Sequence, residues 1–168
     1  CPSCLGMEIV NNTDRVTRGD RELWDELLQV VIPKGRNIWA FADDDSEKLN
    51  EVGRSFEFFV LPENNEANVK KAMKDGNFFA ASKYYKTTDG VGDFDGDGNV
   101  PLVTDIKVDQ KANTIIVATD PTRDCQVIEW IADGKVIATG NTIDLNDYEK
   151  DLGCYIRFQM KGSGGVTY

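Results

Sequence analysis

Asn37-Ile38-Trp39-Ala40-Phe41-Ala42-Asp43-Asp44-Asp45-Ser46 is the stretch on which the reading of this chain turns. Residues 37–42 are mostly apolar and aromatic and read as a buried strand, which delivers the aspartates at its C-terminal end. On its N-terminal side, Asp20 can cap a helix whose positions Leu23, Leu27, Val30 and Val31, with Trp24 and Leu28, form a broad apolar stripe. Pro33 and Gly35 end that helix. Before it come a short strand, Met7 to Val10, and a polar loop from Asn11 to Gly19. On the C-terminal side, Ser55 to Leu61 reads as a strand. Asn65 then caps a second helix with Val69, Ala72 and Met73 inward and Gly76 as its stop, and Phe78 to Ser82 reads as a further strand. This strand–helix–strand order predicts parallel pairing with helices outside, as in an α/β barrel or a layered sheet. Such folds keep their chemistry at the carboxyl ends of the strands, where these aspartates fall.

After about Pro101 the pattern becomes all-β. Ile106 and Val108 alternate, Ile115-Ile116-Val117 forms a strand core, and Gln126 to Ile131 follows as another. Asp133-Gly134 is a strong hairpin turn before Lys135 to Ala138. Cys154 to Met160 makes a last strand, and Gly162 to Gly165 turns toward Val166. Short strands at this spacing predict a small antiparallel β-sandwich. The expected organisation is therefore an α/β region over 1–86, a Gly/Asp-rich linker over 87–105 and a sandwich over 106–168. Trp130, Tyr148 and Tyr155 are candidate contact aromatics for a glycan or protein surface, although Trp130 alternates with Ile128 and reads as core.

The composition limits the chemistry. The chain has 168 residues, 40% of them hydrophobic and 29% charged, as in ordinary globular proteins. A net charge of −10 argues against unassisted binding to nucleic acid or to an anionic membrane. No apolar run approaches the roughly 20 residues that span a bilayer. No signal peptide opens the sequence, and localisation stays open, a secreted or periplasmic setting included. Histidine is absent, which excludes a conventional Ser-His-Asp or Cys-His centre. Gly162-Ser163-Gly164-Gly165 lacks the Lys-Ser/Thr and the helix of a phosphate loop. Adjacent aspartates on one strand point to opposite faces, so Asp43 and Asp44 cannot flank a sugar together. Asp43 and Asp45 could share a face.

Between the two regions lies Asp93-Phe94-Asp95-Gly96-Asp97-Gly98-Asn99, the front of an EF-hand-type loop. Asp93, Asp95, Asp97 and the backbone at Asn99 are the expected ligands of a structural calcium, because a tight Gly turn lets alternate oxygens converge on one hard cation at about 2.3–2.6 Å. The back of the loop is weaker: Thr104 occupies the place of the bidentate Glu, with Asp105 next to it. The alternative is a Gly/Asp-rich linker with ordinary turns. The cysteines Cys1, Cys4, Cys125 and Cys154 allow a Cys1–Cys4 bridge, a free pair at a frayed end, a Cys125–Cys154 staple, or buried unpaired thiols.

Four short segments resemble the C-terminal part of the PHP (polymerase and histidinol phosphatase) family of metal-dependent phosphoesterases. They are Gly6-x-Glu8-Ile9-x-Asn11, Leu23-Trp24-Asp25-x-Leu27-Leu28, Ala42-Asp43-Asp44-x-Ser46, and Ala72-x-x-x-Gly76-x-Phe78-x-Ala80-Ala81-Ser82, and together they cover about residues 5–85. The region after them is similar to the small β domain that follows the barrel in some members. The resemblance implies a distorted (β/α)7 barrel with up to three metals. The family's last Asp-x-His metal motif falls on Asp44-Asp45-Ser46, so Asp44 is the expected ligand of a divalent transition metal and Ser46 replaces the histidine. The family's remaining histidines would lie upstream of Cys1. The implied site is complete only if other segments complete it. Two or three βα units cannot close a barrel, so an upstream PHP segment or a partner chain is expected to cover the open sheet edge. The expected function is therefore that of a phosphoesterase region inactive by itself, the alternative being a non-catalytic, calcium-stabilised binding or structural module.

Overall fold

The computed structural model describes residues 4–86 and 93–168. The chain runs β1 (Gly6–Asn11), α1 (Asp20–Val31), β2 (Trp39–Asp43), β3 (Ser55–Phe59), α2 (Glu66–Asp75), β4 (Phe78–Ser82), β5 (Tyr84–Lys86) and β6 (Asp93–Asp95). It continues through β7 (Val103–Asp109), β8 (Thr114–Thr119), β9 (Val127–Ala132), β10 (Lys135–Thr139), β11 (Thr142–Asp144), β12 (Arg157–Gly162) and β13 (Gly165–Thr167). The architecture is mostly β, with two short helices and several sheets, three of them wholly antiparallel; the described strands close no barrel.

Local chemistry sets the helix boundaries. Helix α1 begins at Asp20 itself, whose carboxylate lies in the first turn where the helix dipole favours negative charge. Gly19 holds the capping position without a side-chain bond. Trp24 and Leu28 are buried, while Leu23 and Val30 are about half exposed, so the buried stripe is narrower than the apolar pattern suggests. A 3₁₀ turn at Ile32–Lys34 carrying Pro33 ends the helix, and Gly35 in the left-handed region closes it. Helix α2 is capped as its sequence predicts: the Asn65 side chain accepts from the Asn68 amide at 2.9 Å. Gly76 terminates it at φ 75°.

Strand direction departs from the expectation. Strands β1 and β2 are parallel, joined through α1, with Gly6 opposite Trp39 and Asn11 opposite Asp43. Strands β3 and β4, on either side of α2, are antiparallel, with Ser55 opposite Ser82 and Phe59 opposite Phe78. A parallel crossover must carry the chain back along the full strand before the next one begins. Here the excursion through α2 returns to the end of β3 that it left, and the Val60 amide donates to the Asn77 carbonyl at 2.9 Å.

The regions before and after the linker share one sheet. Its order is β10-β9-β12-β13-β4-β3, so β13 pairs with β12 on one side and with β4 on the other. Strands β11, β8 and β7 form a separate three-stranded sheet. Val117 and Ile143 from it join Ile128, Trp130 and Met160 from the six-stranded sheet in one core, and the Trp130 indole donates to the Gly140 carbonyl at 2.8 Å. Trp130 is thus a core residue. Asp133 and Gly134 turn between β9 and β10 with φ values of 47° and 75°, as a two-residue hairpin requires. A second core packs Ile9, Val10, Trp24, Leu28, Ile38, Ala42 and Ala80 beneath α1. Cys125 and Cys154 are free thiols, so no staple joins them; Cys154 is exposed and Cys125 half-buried. Cys4 is also free and exposed, and Cys1 lies outside the described residues. No described helix is long and apolar enough to cross a membrane.

A buried ion pair ties α1 to β12. Asp25 receives the Arg157 guanidinium through Nε at 2.7 Å and Nη2 at 2.6 Å, and the Tyr155 hydroxyl donates to it at 2.8 Å. The guanidinium also lies 5.0 Å from the centre of the Trp24 ring. Removing one partner strands the other charge in a dry site, which costs about 3 kcal/mol or more. Asp25→Ala is therefore expected to lower the free energy of urea unfolding by about that amount. A double replacement by apolar side chains, Asp25→Leu with Arg157→Met, is expected to cost less than the single change.

Candidate functional site

The acidic stretch lies where β1 and β2 both end. Asn11 is opposite Asp43, and the Asn12 amide donates to the Asp43 carbonyl at 2.9 Å, which extends the parallel ladder by one residue. Crevices at the carboxyl ends of parallel strands are where α/β folds bind ligands. Asp45 leaves the strand at φ 45°, so the strand alternation that would put Asp43 and Asp45 on one face no longer applies to it. Ser46 is exposed beyond it. Partial burial, and then the charges of Asp44 and Asp45, push the Asp43 carboxyl above its ordinary pKa.

Asp44 has a definite structural task. One carboxylate oxygen accepts from the Arg54 and Ser55 amides at 2.6 and 2.8 Å, and the other accepts from the Gly53 amide at 2.6 Å. Three successive backbone donors converge on one ionised side chain, the strong form of hydrogen bond. The clamp fixes the entry of β3 beside the end of β2. Arg54 then donates to the Asn12 side chain at 2.7 Å, and Ser55 bonds the Asn12 carbonyl at 3.1 Å and the buried Ser82 hydroxyl at 2.9 Å.

Glu57, which the sequence reading passed over, completes the acidic surroundings. Its carboxylate accepts from the Ala42 amide at 2.8 Å, bridging β3 to β2 without a shared ladder. Burial, reinforced by Asp43 and Asp44 and opposed by the Ala42 bond, pushes its pKa up to about 7. Also missed was a buried pair at the start of α1: Arg21 grips Asp14 at 2.8 Å with each of two nitrogens, and Thr17 donates to Asp14 at 3.0 Å. The spacing Asp14-x-x-Thr17 is the one local signal in the sequence for this knot. Glu8 accepts from the Asn11 side chain at 2.9 Å. Among the described residues, no three His, Cys, Asp or Glu side chains come together to hold a metal ion. Asp44 by itself does not fit a two-metal centre, which needs several ligands and open positions for water and substrate.

The side chain of Asp93 lies outside the described residues. Asp95 is exposed and 3.4 Å from the Lys83 ammonium. Asp97 accepts from the Asn99 amide at 2.8 Å, an Asx turn. The Gly98 amide donates to the Gly164 carbonyl at 3.0 Å, which seats this loop against the hairpin between β12 and β13. Comparison of the chain with family models, with curated proteins and with solved structures finds no match.

Two outcomes check the acidic end. Asp44→Ala leaves three amides without their acceptor and is expected to destabilise the fold by about 3 kcal/mol, with faster hydrogen exchange at Gly53, Arg54 and Ser55. Asp44→Asn, which keeps one oxygen, is expected to lose less. For Glu57, the folded-state pKa near 7 exceeds the unfolded value of 4.5, so the folded state holds the extra proton between them. Stability is then fully present below about 4.5 and falls as pH rises toward about 7. Chelator-treated Glu57→Gln keeps the bond to Ala42 and is expected to show a flatter stability profile over that window.

Proposed function

We propose that this chain is the C-terminal region of a PHP-like metal-dependent phosphoesterase, and that it does not hydrolyse phosphoesters by itself. The observation that carries the reading is the parallel β1–α1–β2 unit with its carboxylates gathered at the common carboxyl end. Asp44 would supply one carboxylate to a divalent transition metal, and an upstream segment or a partner chain covering the edge of β1 that pairs with no described strand would supply the rest.

A second reading rests on a separate observation, the contact between the Asp95–Asn99 loop and Gly164. A calcium held by Asp93, Asp95, Asp97 and Asn99 would brace the seam between the two parts of the shared sheet. The chain would then be a non-catalytic binding or structural module.

Metal content by plasma mass spectrometry, thermal melts with and without EDTA, and turnover of p-nitrophenyl phosphate separate these readings. The first expects no turnover by the chain alone with manganese, zinc or iron, and weak retention of such a metal that Asp44→Asn abolishes. Turnover by the chain alone would overturn its incompleteness. One retained calcium with a chelator-sensitive melt would favour the second reading.

A further inference from the structure

Strand β7, with seven residues, is the longest described strand, and it forms one edge of the three-stranded sheet β11-β8-β7. Its outer side pairs with no described strand, and Thr104 to Asp109 are all exposed. Residues opposite each other in a ladder share a face, so Ile106 and Val108 lie on the side of Val117 and Ile115, which pack in the sandwich core. The core ends at β8, however: Ile106 is 41% and Val108 60% exposed. A row of amides and carbonyls without a strand beside it, flanked by apolar side chains, is a template for a further strand.

Charge on the other face shows which strand fits. Asp105 and Lys107 lie there 3.6 Å apart, with side chains 52% and 74% exposed. In an antiparallel ladder, two opposed residues both turn their backbone groups into the ladder or both turn them away. A strand therefore pairs with its own copy about an axis through a residue, never between two. With the axis at Ile106 the two strands overlap along their whole length. Asp105 then faces the partner's Lys107, Lys107 faces the partner's Asp105, and Ile106 meets the partner's Ile106. Moving the axis to Lys107 opposes Lys107 to itself and Asp105 to Asp109, and moving it to Asp105 opposes Asp105 to itself. A guarded edge carries charges that repel a second copy. Here the charges complement one in the register of full overlap. The bulge between Val103 and Asp105 lies at the start of the strand, so both charge pairs and Ile106 fall in its regular part.

We propose that β7 is a self-association edge, at which two copies of this chain pair antiparallel about a two-fold axis at Ile106 and join their three-stranded sheets into one of six strands. The proposal is independent of the readings above, because it uses neither the carboxylate cluster nor the Asp95–Asn99 loop and needs no metal. The contact is small and each copy carries a net charge of −10, so the dimer is weak, with a dissociation constant on the order of 100 µM.

Sedimentation equilibrium in EDTA, from about 10 µM to about 1 mM chain, tests this. Salt at about 0.15 M screens the long-range repulsion between copies. A monomer–dimer equilibrium is expected. Asp105→Lys and Lys107→Asp each set like charges opposite in the proposed register, and each is expected to weaken self-association about tenfold or more. Both alter exposed side chains, and circular dichroism checks that the fold is retained. Asp105→Lys also lowers the net negative charge, so a weakening there runs against the general repulsion. An equimolar mixture of the two variants sets opposite charges at both pairs again and is expected to form a heterodimer at least as tightly as the parent chain pairs with itself. A chain that stays monomeric over the whole range would overturn the proposal. So would self-association that neither exchange weakens, or a loss that mixing does not restore.

Discussion

Three residues, Gly165, Val166 and Thr167, form the strand on which the rest of the molecule depends. Strand β13 lies between β12 and β4 and is hydrogen-bonded to both, with Val166 opposite Lys161 on one side and Ser82 on the other. Val166 and Thr167 are fully buried, and the Thr167 hydroxyl donates to the Pro101 carbonyl at 2.6 Å. A slip of one residue would exchange the two buried faces, putting Thr167 in the place of Val166 and breaking the Thr167 bond to Pro101. Gly165 is also required: it sits at φ 133°, and a Cβ there would lie 2.2 Å from the Ser82 carbonyl oxygen. One short strand thereby makes a single sheet from segments that the sequence separates by an acidic linker.

Other contacts reinforce that seam from both sides. On the helical side, Asp25 and Trp24 of α1 hold Arg157 of β12. On the linker side, Gly98 is bonded to Gly164 at the tip of the β12–β13 hairpin. The acidic end of β1 and β2 is linked to that seam through Ser82, whose hydroxyl bonds Ser55, itself an amide donor to Asp44. Within that end, Asp44 is committed to three backbone amides and Glu57 to the Ala42 amide. These carboxylates shape the joint between β2 and β3, and any ligand would meet them already oriented.

Features encoded by local chemistry were legible in the sequence. Asn65 and Gly76 bound α2, Pro33 and Gly35 stop α1, and Asp133-Gly134 makes the β9–β10 turn, because each acts within a few residues. Trp130 was legible as core through its alternation with Ile128. Strand partners were not. The short apolar run Phe78 to Ser82 reads as a strand, β4, but the strand on its far side, β13, lies far along the chain. Asp25 sits in the run Leu23-Trp24-Asp25 with no local sign that its partner is Arg157. The tight acidic run drew attention to Asp44 as a ligand, whereas its bonds are to backbone donors that every sequence offers. Glu57 was hidden for the converse reason: a lone glutamate amid phenylalanines in Ser55–Phe59 reads as the outward side of a strand, and only the approach of β2 buries it.

Native-state hydrogen exchange across a series of denaturant concentrations tests the shared sheet most directly. If β13 joins the two parts into one cooperative unit, the slowest amides of β1, β2 and β4 must exchange with the same free energy and denaturant dependence as those of β9 and β12. Two distinct free energies, with one part opening while the other stays protected, would contradict it.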